Sequence, residues 1–153
     1  MKYLLDTNIV LAYVRQSKLT DYLESEYNLF NGLHDLYISI VTLGELDSIV
    51  RQFKYGSKKK KRLEEILMNL AVIEIGYQDV IERYGEIDAF SQCKHDEIHS
   101  SFSARNMGKN DLWIAATSSL FGLQLITTDK DFEHLNEVFL DLQYVDLEAY
   151  KKG

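Results

Sequence analysis

Four acidic residues stand where strands are expected to end or helices to begin. Asp6 and Asp129 each come directly after an apolar run that is typical of a buried strand. Glu45 and Asp111 each lie in the first turn of a segment with helical periodicity. Any one such acid is commonly explained as a helix cap or by the helix dipole. In an open α/β sheet, however, ligands bind beyond the carboxyl ends of the strands, so the sequence predicts that these four side chains meet there.

Four carboxylates at one place would repel each other. Two like charges 4 Å apart cost about 4 kcal/mol at an effective dielectric constant of 20, so the group could stay ionised only if a cation held it together. Oxygen ligands alone suit Mg²⁺ or Mn²⁺, and Mg²⁺ keeps several waters that leave room for a phosphate. The residue types therefore indicate metal-assisted phosphoryl chemistry.

Helix geometry also sets the direction of two of these acids. At 100° per residue, Glu45 lies about 100° from Leu46, the centre of the apolar stripe of its helix, and so at the boundary of that stripe. Asp111 lies in a segment that apolar and small residues surround, among them Trp113 to Ala116. We expect that helix to be largely buried and its carboxylate to face the rim of the sheet.

The elements that must position these acids alternate along the chain between strands and helices. The predicted strands are Lys2 to Asp6, Leu36 to Val41, Val72 to Ile75, Leu123 to Thr128 and Leu142 to Leu147. The predicted helices are Thr7 to Arg15, Leu19 to Leu33, a helix capped by Thr42 that reaches Phe53, Leu63 to Leu70, Gln78 to Gln92, a helix from Lys109 or Asn110 to Phe121, and a short turn from Asp131 to Asn136.

This alternation predicts one α/β architecture. The strands are nearly continuous in apolar residues, which is typical of a parallel sheet covered on both faces. We therefore expect a three-layer α/β/α sandwich around a central, mainly parallel sheet of about five strands, in a single domain over residues 1–153. The polar segment Cys93 to Lys109 is predicted to be a loop or a fraying helix end.

Composition excludes several classes of protein. With 153 residues, 46% hydrophobic and 27% charged, the chain has too much apolar content for intrinsic disorder. Its apolar runs are far shorter than the roughly 20 residues that span a bilayer, and no signal peptide precedes Asp6, so we expect a cytoplasmic protein. One cysteine, Cys93, excludes an internal disulfide and a cysteine-built zinc site. The net charge of −7 argues against general electrostatic binding of nucleic acid.

The acids occur within four segments that together resemble a known family. The segments are Asp6-Thr7-Asn8, Gly44-Glu45, Gly108-Lys109-Asn110-Asp111-Leu112-Trp113-Ile114-Ala115-Ala116 and Leu125-Ile126-Thr127-Thr128-Asp129-Lys130-Asp131-Phe132. In this order they resemble the acidic motifs of PIN-domain ribonucleases, and in particular the VapC toxins of type II toxin–antitoxin pairs. The resemblance extends from residue 4 to about residue 147.

The resemblance implies an activity and a set of site residues. It assigns metal binding and catalysis to four acids, Asp6, Glu45, Asp111 and Asp129. It assigns supporting roles beside them to Asn8 and Thr127. The implied reaction is hydrolysis of RNA by a water that one or two Mg²⁺ or Mn²⁺ ions activate, which leaves a 5′ phosphate.

The resemblance also implies partners, and it leaves alternatives. VapC-like proteins usually form homodimers and are inhibited by a small antitoxin whose C-terminal segment lies near the acidic pocket. Two other interpretations remain open: an RNA-processing nuclease of the same fold without an antitoxin, and a binding module whose acids are no longer catalytic. Metal-dependent cleavage of RNA would exclude the second alternative, the binding module. No glycine-rich phosphate-binding motif occurs, which excludes a nucleotide-binding domain of the common kinds.

Two further features concern contact with nucleic acid. The basic run Lys58-Lys59-Lys60-Lys61-Arg62 could bind RNA phosphates, or it could be a solvated loop that runs into a helix. Lysines at a helix start interact unfavourably with the helix dipole, and this mild cost favours a functional role such as phosphate binding. Tyr3, Trp113 and Phe132 lie in apolar segments and are interpreted as core or rim aromatics rather than as base-stacking platforms.

Overall fold

A parallel five-stranded sheet lies at the centre of the fold, as predicted. The structure is a computed structural model and describes residues 1–148; positions 149–153 of the predicted domain lie outside the described residues. The strands are β1 (Lys2–Leu5), β2 (Asp35–Ser39), β3 (Ala71–Ile73), β4 (Gln124–Thr127) and β5 (Asp141–Tyr144). Their order is β3-β2-β1-β4-β5 and each neighbouring pair is parallel.

Helices cover both faces of this sheet. They are α1 (Thr7–Arg15), α2 (Lys18–Tyr27), α3 (Ile40–Gln52), α4 (Ser57–Leu67), α5 (Gln78–Ser91) and α6 (Lys109–Phe121), and a 3₁₀ helix spans Lys130–Leu135. None of the helices in residues 1–148 combines the length and the apolar character needed to cross a bilayer.

The central strand shows why its sequence is apolar without alternation. Leu5 packs into the core that contains Ile9 of α1 and Leu46 of α3. Leu4, one residue earlier, packs into the other core, with Ile114 of α6. Because successive side chains of a strand point to opposite faces, both faces of β1 are buried and both need apolar residues.

Helix α2 is shorter than predicted. It ends at Tyr27 rather than Leu33, because Asn28 adopts a left-handed conformation with φ of 52° and its N–H bonds to the carbonyl of Glu24. The Glu24 carboxylate then accepts the backbone N–H groups of Phe30 and Asn31 at 3.0 and 3.4 Å. These side-chain bonds replace the helical ladder in the segment for which the apolar spacing had predicted a helix.

Two other helix starts differ from the sequence expectation. Helix α3 is capped by Ser39, whose hydroxyl accepts the N–H of Val41 at 3.1 Å, while Thr42 is a buried residue inside the helix. Helix α4 begins at Ser57, so the basic run lies in its first two turns instead of in a loop. Helix α6 ends as predicted, at Gly122 in the left-handed conformation.

Candidate metal site at the carboxyl edge of the sheet

Asp6 joins the end of β1 to the start of α1 and is almost fully buried. Its Oδ1 accepts the backbone N–H of Thr7 at 2.8 Å, and its Oδ2 accepts the hydroxyl of Thr127 at 2.7 Å. Only 5% of the residue is exposed. Burial raises the pKa of Asp6, the two hydrogen bonds oppose that rise, and the charge of Asp129 adds to it.

Glu45 approaches Asp6 from helix α3. The Thr7 hydroxyl lies 3.1 Å from Oε1 of Glu45 and 3.3 Å from the hydroxyl of Thr42. With one proton each, the two hydroxyls can form a chain in which Thr42 donates to Thr7 and Thr7 donates to Glu45. Burial raises the pKa of Glu45, and the nearby charge of Asp6 raises it further.

Asp111 faces the other three predicted acids. Burial raises its pKa to about 7, and the charges of four neighbours contribute to that rise: Asp6, Asp129, Glu45 and Asp131. Its position follows from the start of α6, because Gly108 is the N-cap residue and Asp111 lies in the first turn. The four acids that the sequence singled out, more than 100 positions apart at the extremes, therefore meet at one place.

Asp129 and Asp131 shape the other side of the site. The Asp129 carboxylate caps the 3₁₀ helix by accepting the N–H of Asp131 at 2.9 Å, and its own N–H donates to the Thr127 hydroxyl at 3.0 Å. One oxygen each of Asp111, Asp129 and Asp131 lie within 4.8 Å of one another. Asp131 was not among the predicted site residues. The Asp-Lys-Asp spacing directly after an apolar strand was the available signal.

The two residues predicted to support the acids occupy different surroundings. Thr127 is fully buried and bonds to Asp6. Asn8 is exposed on α1, and within the part of the chain that the structure describes no hydrogen bond joins it to any of the four acids. Thr7, its neighbour, makes the contact with Glu45. Thr7 was not among the predicted site residues, and its only signal in the sequence is its place directly after Asp6.

The last residue of the basic run, Arg62, lies away from Asp6. The Arg62 guanidinium donates to the carbonyl of Val14 at 2.8 Å, near the end of α1, whereas Asp6 caps the start of the same helix. Eight residues of helix separate Asp6 from Val14, or about 12 Å along the axis. Lys59 lies over the ring of Tyr55, 4.8 Å from its centroid.

The donor set fits a hard divalent cation. Five carboxylates, those of Asp6, Glu45, Asp111, Asp129 and Asp131, face one region, and within residues 1–148 no basic side chain forms an ion pair with any of them. Carboxylate oxygens are the ligands that Mg²⁺ and Mn²⁺ prefer. Burial and the neighbouring negative charges raise the pKa values of Asp6, Glu45 and Asp111, since protonation is the alternative to a bound cation.

Comparison with known proteins agrees with this geometry. The PIN domain family model matches residues 3–138. The chain belongs to the PIN-domain family. The resemblance of the motifs to this family is therefore confirmed, and the chain has the α/β/α fold that the alternation of strands and helices predicted.

Relatives of this PIN domain include proteins named for an activity. Ribonuclease VapC2 of Haemophilus influenzae is 30% identical over 142 residues, which cover 88% of this chain and 92% of that protein. The crystal structure of VapBC2 from Rickettsia felis bound to a DNA fragment from their promoter matches with a TM-score of 0.76 at 24% identity, covering 95% of this chain and 100% of that chain. VapBC-1 from nontypeable Haemophilus influenzae matches with a TM-score of 0.65 at 25% identity, covering 94% and 98%.

Proposed function

We propose that this PIN-domain protein is a divalent-metal-dependent endoribonuclease and the toxin of a VapBC-type toxin–antitoxin pair. The observation that carries the proposal is the convergence of Asp6, Glu45, Asp111 and Asp129 at the carboxyl edge of the sheet, where no basic side chain of residues 1–148 forms an ion pair with them. The name of the Haemophilus influenzae relative, a ribonuclease, supports the choice of RNA as substrate. The reaction is hydrolysis of a phosphodiester bond.

The acids divide into two groups by the way the chain holds them. Asp111, Asp129 and Asp131 offer oxygens that lie close enough together to share one Mg²⁺ or Mn²⁺ ion. Asp6 and Glu45 are oriented by the hydroxyls of Thr127 and Thr7. A bound ion of this kind supplies an activated water and stabilises charge on the leaving 3′ oxygen. Asp111, whose pKa is raised to about 7, would have to be deprotonated to act as a ligand.

An inhibitory protein partner fits a separate feature of the surface. A groove of about 760 Å³ runs between α3 and α4, with apolar side chains such as Leu46, Val50 and Leu63 below a rim of both charge signs. Amphipathic helices bind in grooves of this kind. The solved VapBC2 and VapBC-1 structures that this chain resembles support an antitoxin as the occupant. The resemblance to VapC-like proteins adds a homodimer of this chain to the same proposal.

A basic side chain from such an antitoxin would supply the countercharge that the acidic cluster lacks. The partner would then inhibit by competing with the cation for the same carboxylates. Stoichiometric co-purification of a small protein with a basic tail, whose addition stops cleavage, is the expected result. If RNA is cleaved but no added or co-purified protein inhibits the reaction, the interpretation as an RNA-processing nuclease without an antitoxin replaces this one.

The experiment that tests the nuclease compares two matched variants on the 3₁₀ helix. Asp131→Asn removes a carboxylate of the cluster, whereas Glu133→Gln removes an exposed acid two residues away that is not part of it. We expect wild type and Glu133→Gln to cleave RNA with Mn²⁺ or Mg²⁺, to leave 5′ phosphates and to stop when EDTA is added. Asp131→Asn should lose at least tenfold in rate at low metal concentration. Asp6→Asn should be inactive, and cleavage by Asp6→Asn at the wild-type rate would refute the assignment of the acids. If wild type cleaves no RNA with either metal, the interpretation as a binding module replaces the nuclease.

A further inference from the structure

A second cleft opens beside the acidic cluster, between α3 and α6. It has a volume of about 580 Å³, and Glu45 contributes to its lining. Helix α3 also contributes Ser48, Ile49 and Gln52, and helix α6 contributes Asn110 and Trp113. These spacings of three, four and seven residues place the side chains on one face of each helix. The volume lies in the range of about 300 to 1,000 Å³ that is typical of small-ligand sites.

Trp113 packs against a second aromatic ring at this cleft. Its ring packs on that of Tyr84 with a centroid distance of 4.3 Å and a tilt of 41°. It is only partly buried, and within residues 1–148 its indole N–H has no hydrogen-bond partner. A partly exposed aromatic ring beside a polar cleft provides a surface on which a planar ligand can stack.

Polar groups at the rim leave hydrogen-bonding capacity unused. The Gln52 amide NH₂ donates to the Ser48 hydroxyl at 2.7 Å, which leaves the side-chain carbonyl of Gln52 available as an acceptor. The exposed carboxamide of Asn110 makes no hydrogen bond to any residue in 1–148. Apolar side chains complete the lining, among them Ile49 and Ile75. An apolar surface with a few convergent amides is suited to a nucleobase, which has two flat faces and a polar edge.

We infer that this cleft binds one unpaired base of the RNA substrate, stacked on Trp113, next to the nucleotide whose phosphate lies at the acidic cluster. The inference rests on the proposed function, because it takes RNA as the substrate. Glu45 belongs both to the cleft and to the cluster, so the two sites are neighbours. A base inside a duplex is stacked and paired and cannot enter such a cleft, so the substrate class is single-stranded RNA or a loop.

This assignment also explains how a chain with a net charge of −7 retains RNA. Stacking on an aromatic ring does not depend on the charge of the protein and is tolerant of base identity. The sequence alone favoured a core or rim role for Trp113 over that of a base-stacking platform, and the proposed stacking revises that interpretation. The structure places Trp113 at the rim, where the exposed part of its ring lines the cleft and can stack on a base.

Intrinsic fluorescence tests the inference directly, because Trp113 is the only tryptophan of the chain. The Asp129→Asn variant is titrated with a single-stranded RNA, with the same sequence as a duplex, and with a set in which one abasic site is moved along the strand. We expect saturable quenching by the single strand, little by the duplex, and loss of quenching at one abasic position. A change of fluorescence on dilution of the protein alone, with none on addition of RNA, would assign the cleft to a second copy of the chain and overturn the inference.

A binding cycle then assigns the contact to one base. Trp113→Leu should weaken the Kd for single-stranded RNA about tenfold, in the range of one stacked base, as measured by anisotropy of labelled RNA. An abasic site at the critical position should weaken the Kd of the protein with Trp113 by the same factor. It should leave the Kd of Trp113→Leu almost unchanged. Phe53→Leu, a change of an exposed aromatic at the end of α3 outside the cleft, is the control and should bind normally.

The possible outcomes separate this inference from the proposed function. RNA binding without quenching, or additive effects in the cycle, overturns the base cleft even if cleavage proceeds. Quenching that follows the abasic pattern, in a wild-type chain that cleaves no RNA with Mn²⁺, supports the cleft and contradicts the nuclease. If Trp113→Leu does not fold, the fluorescence titration of the chain that retains Trp113 still decides. Absence of both binding and cleavage overturns both.

Discussion

The hydroxyl of Thr127 donates a 2.7 Å hydrogen bond to Oδ2 of Asp6, although 121 positions separate the two residues in the chain. The same hydroxyl accepts the backbone N–H of Asp129 at 3.0 Å. One buried side chain thus fixes two acids, one at the end of β1 and one after β4. Because a hydroxyl has one donor and can accept at the same time, both hydrogen bonds form together.

Replacing Thr127 by valine should therefore affect both stability and the site. Thr127→Val keeps the shape but removes one of the two donors to the buried Asp6 carboxylate and the acceptor of the Asp129 N–H, which costs about 1–3 kcal/mol. We expect the Tm to fall by roughly 2–4 °C for each kcal/mol, and RNA cleavage to fall at least tenfold at limiting Mn²⁺. Differential scanning calorimetry and cleavage assays measure the two effects.

Two variants serve as controls for this change. Thr127→Ser retains the hydroxyl and should keep most of the activity. Thr117→Val removes another buried hydroxyl, one that bonds to the carbonyl of Trp113 four residues earlier in α6, and should alter stability more than cleavage. Equal loss of activity in Thr117→Val and Thr127→Val would mean that the effect of Thr127 is not specific to the acids.

Asp111 should make the stability of the metal-free protein depend on pH. Its pKa is about 7 in the folded chain and near 3.8 when unfolded. Between these values the folded chain holds a proton that the unfolded chain has released, so stability falls as pH rises through this interval. Asp111→Asn should raise the Tm at about pH 8, by the equivalent of about 1–2 kcal/mol after allowance for solvent screening, and should have little effect near pH 4.

The comparison of variant with wild type isolates Asp111 from other groups. Burial lowers the pKa of His134 to about 4, so that histidine contributes the opposite slope below its ordinary value of 6.5. This contribution is common to both proteins and cancels in the difference of Tm. Mn²⁺ should stabilise wild type at about pH 8 and stabilise Asp111→Asn far less. A difference of Tm that stays constant with pH would contradict the shared acidic site.

The fold and four of the acids could be predicted from the sequence, because local patterns determine both. Apolar runs separated by helical segments specify a parallel sheet, and the carboxyl ends of its strands must lie at one edge. Asp6, Glu45, Asp111 and Asp129 follow from that rule. The start of α1 and the end of α6 were also predictable, since each depends on capping residues adjacent in the sequence.

The remaining features depend on contacts between distant residues. The pairing of Thr7 with Glu45 requires α1 and α3 to be placed side by side, which no local pattern fixes. In the sequence, Asp131 is only one more acid at a helix start. Its closeness to Asp111 results from the tertiary structure. The early end of α2 follows from the hydrogen bonds of the Glu24 carboxylate, which override the apolar spacing that predicted a longer helix.

The residues of the basic run should differ in their contribution to stability: Arg62 has a structural role, whereas the lysines are exposed cations. Arg62 donates to the carbonyl of Val14 at 2.8 Å, where a cation also interacts favourably with the carboxyl end of the α1 dipole. Arg62→Met should therefore cost about 1–3 kcal/mol of stability. The triple change of Lys58, Lys60 and Lys61 to glutamine removes only exposed charges and should leave the Tm nearly unchanged.

The same two variants test the predicted binding of this run to RNA. If the lysines bind phosphates, the triple variant should bind RNA more weakly at low salt, and the slope of log Kd against log salt should decrease by about 0.7 for each phosphate that is no longer neutralised. Arg62→Met, compared at a temperature where it is folded, should change the slope much less. Anisotropy of labelled single-stranded RNA over a range of salt concentrations measures these slopes. An unchanged slope in the triple variant would leave the lysines as a solvated helix start, and a Tm of Arg62→Met equal to wild type would remove the structural role of the arginine.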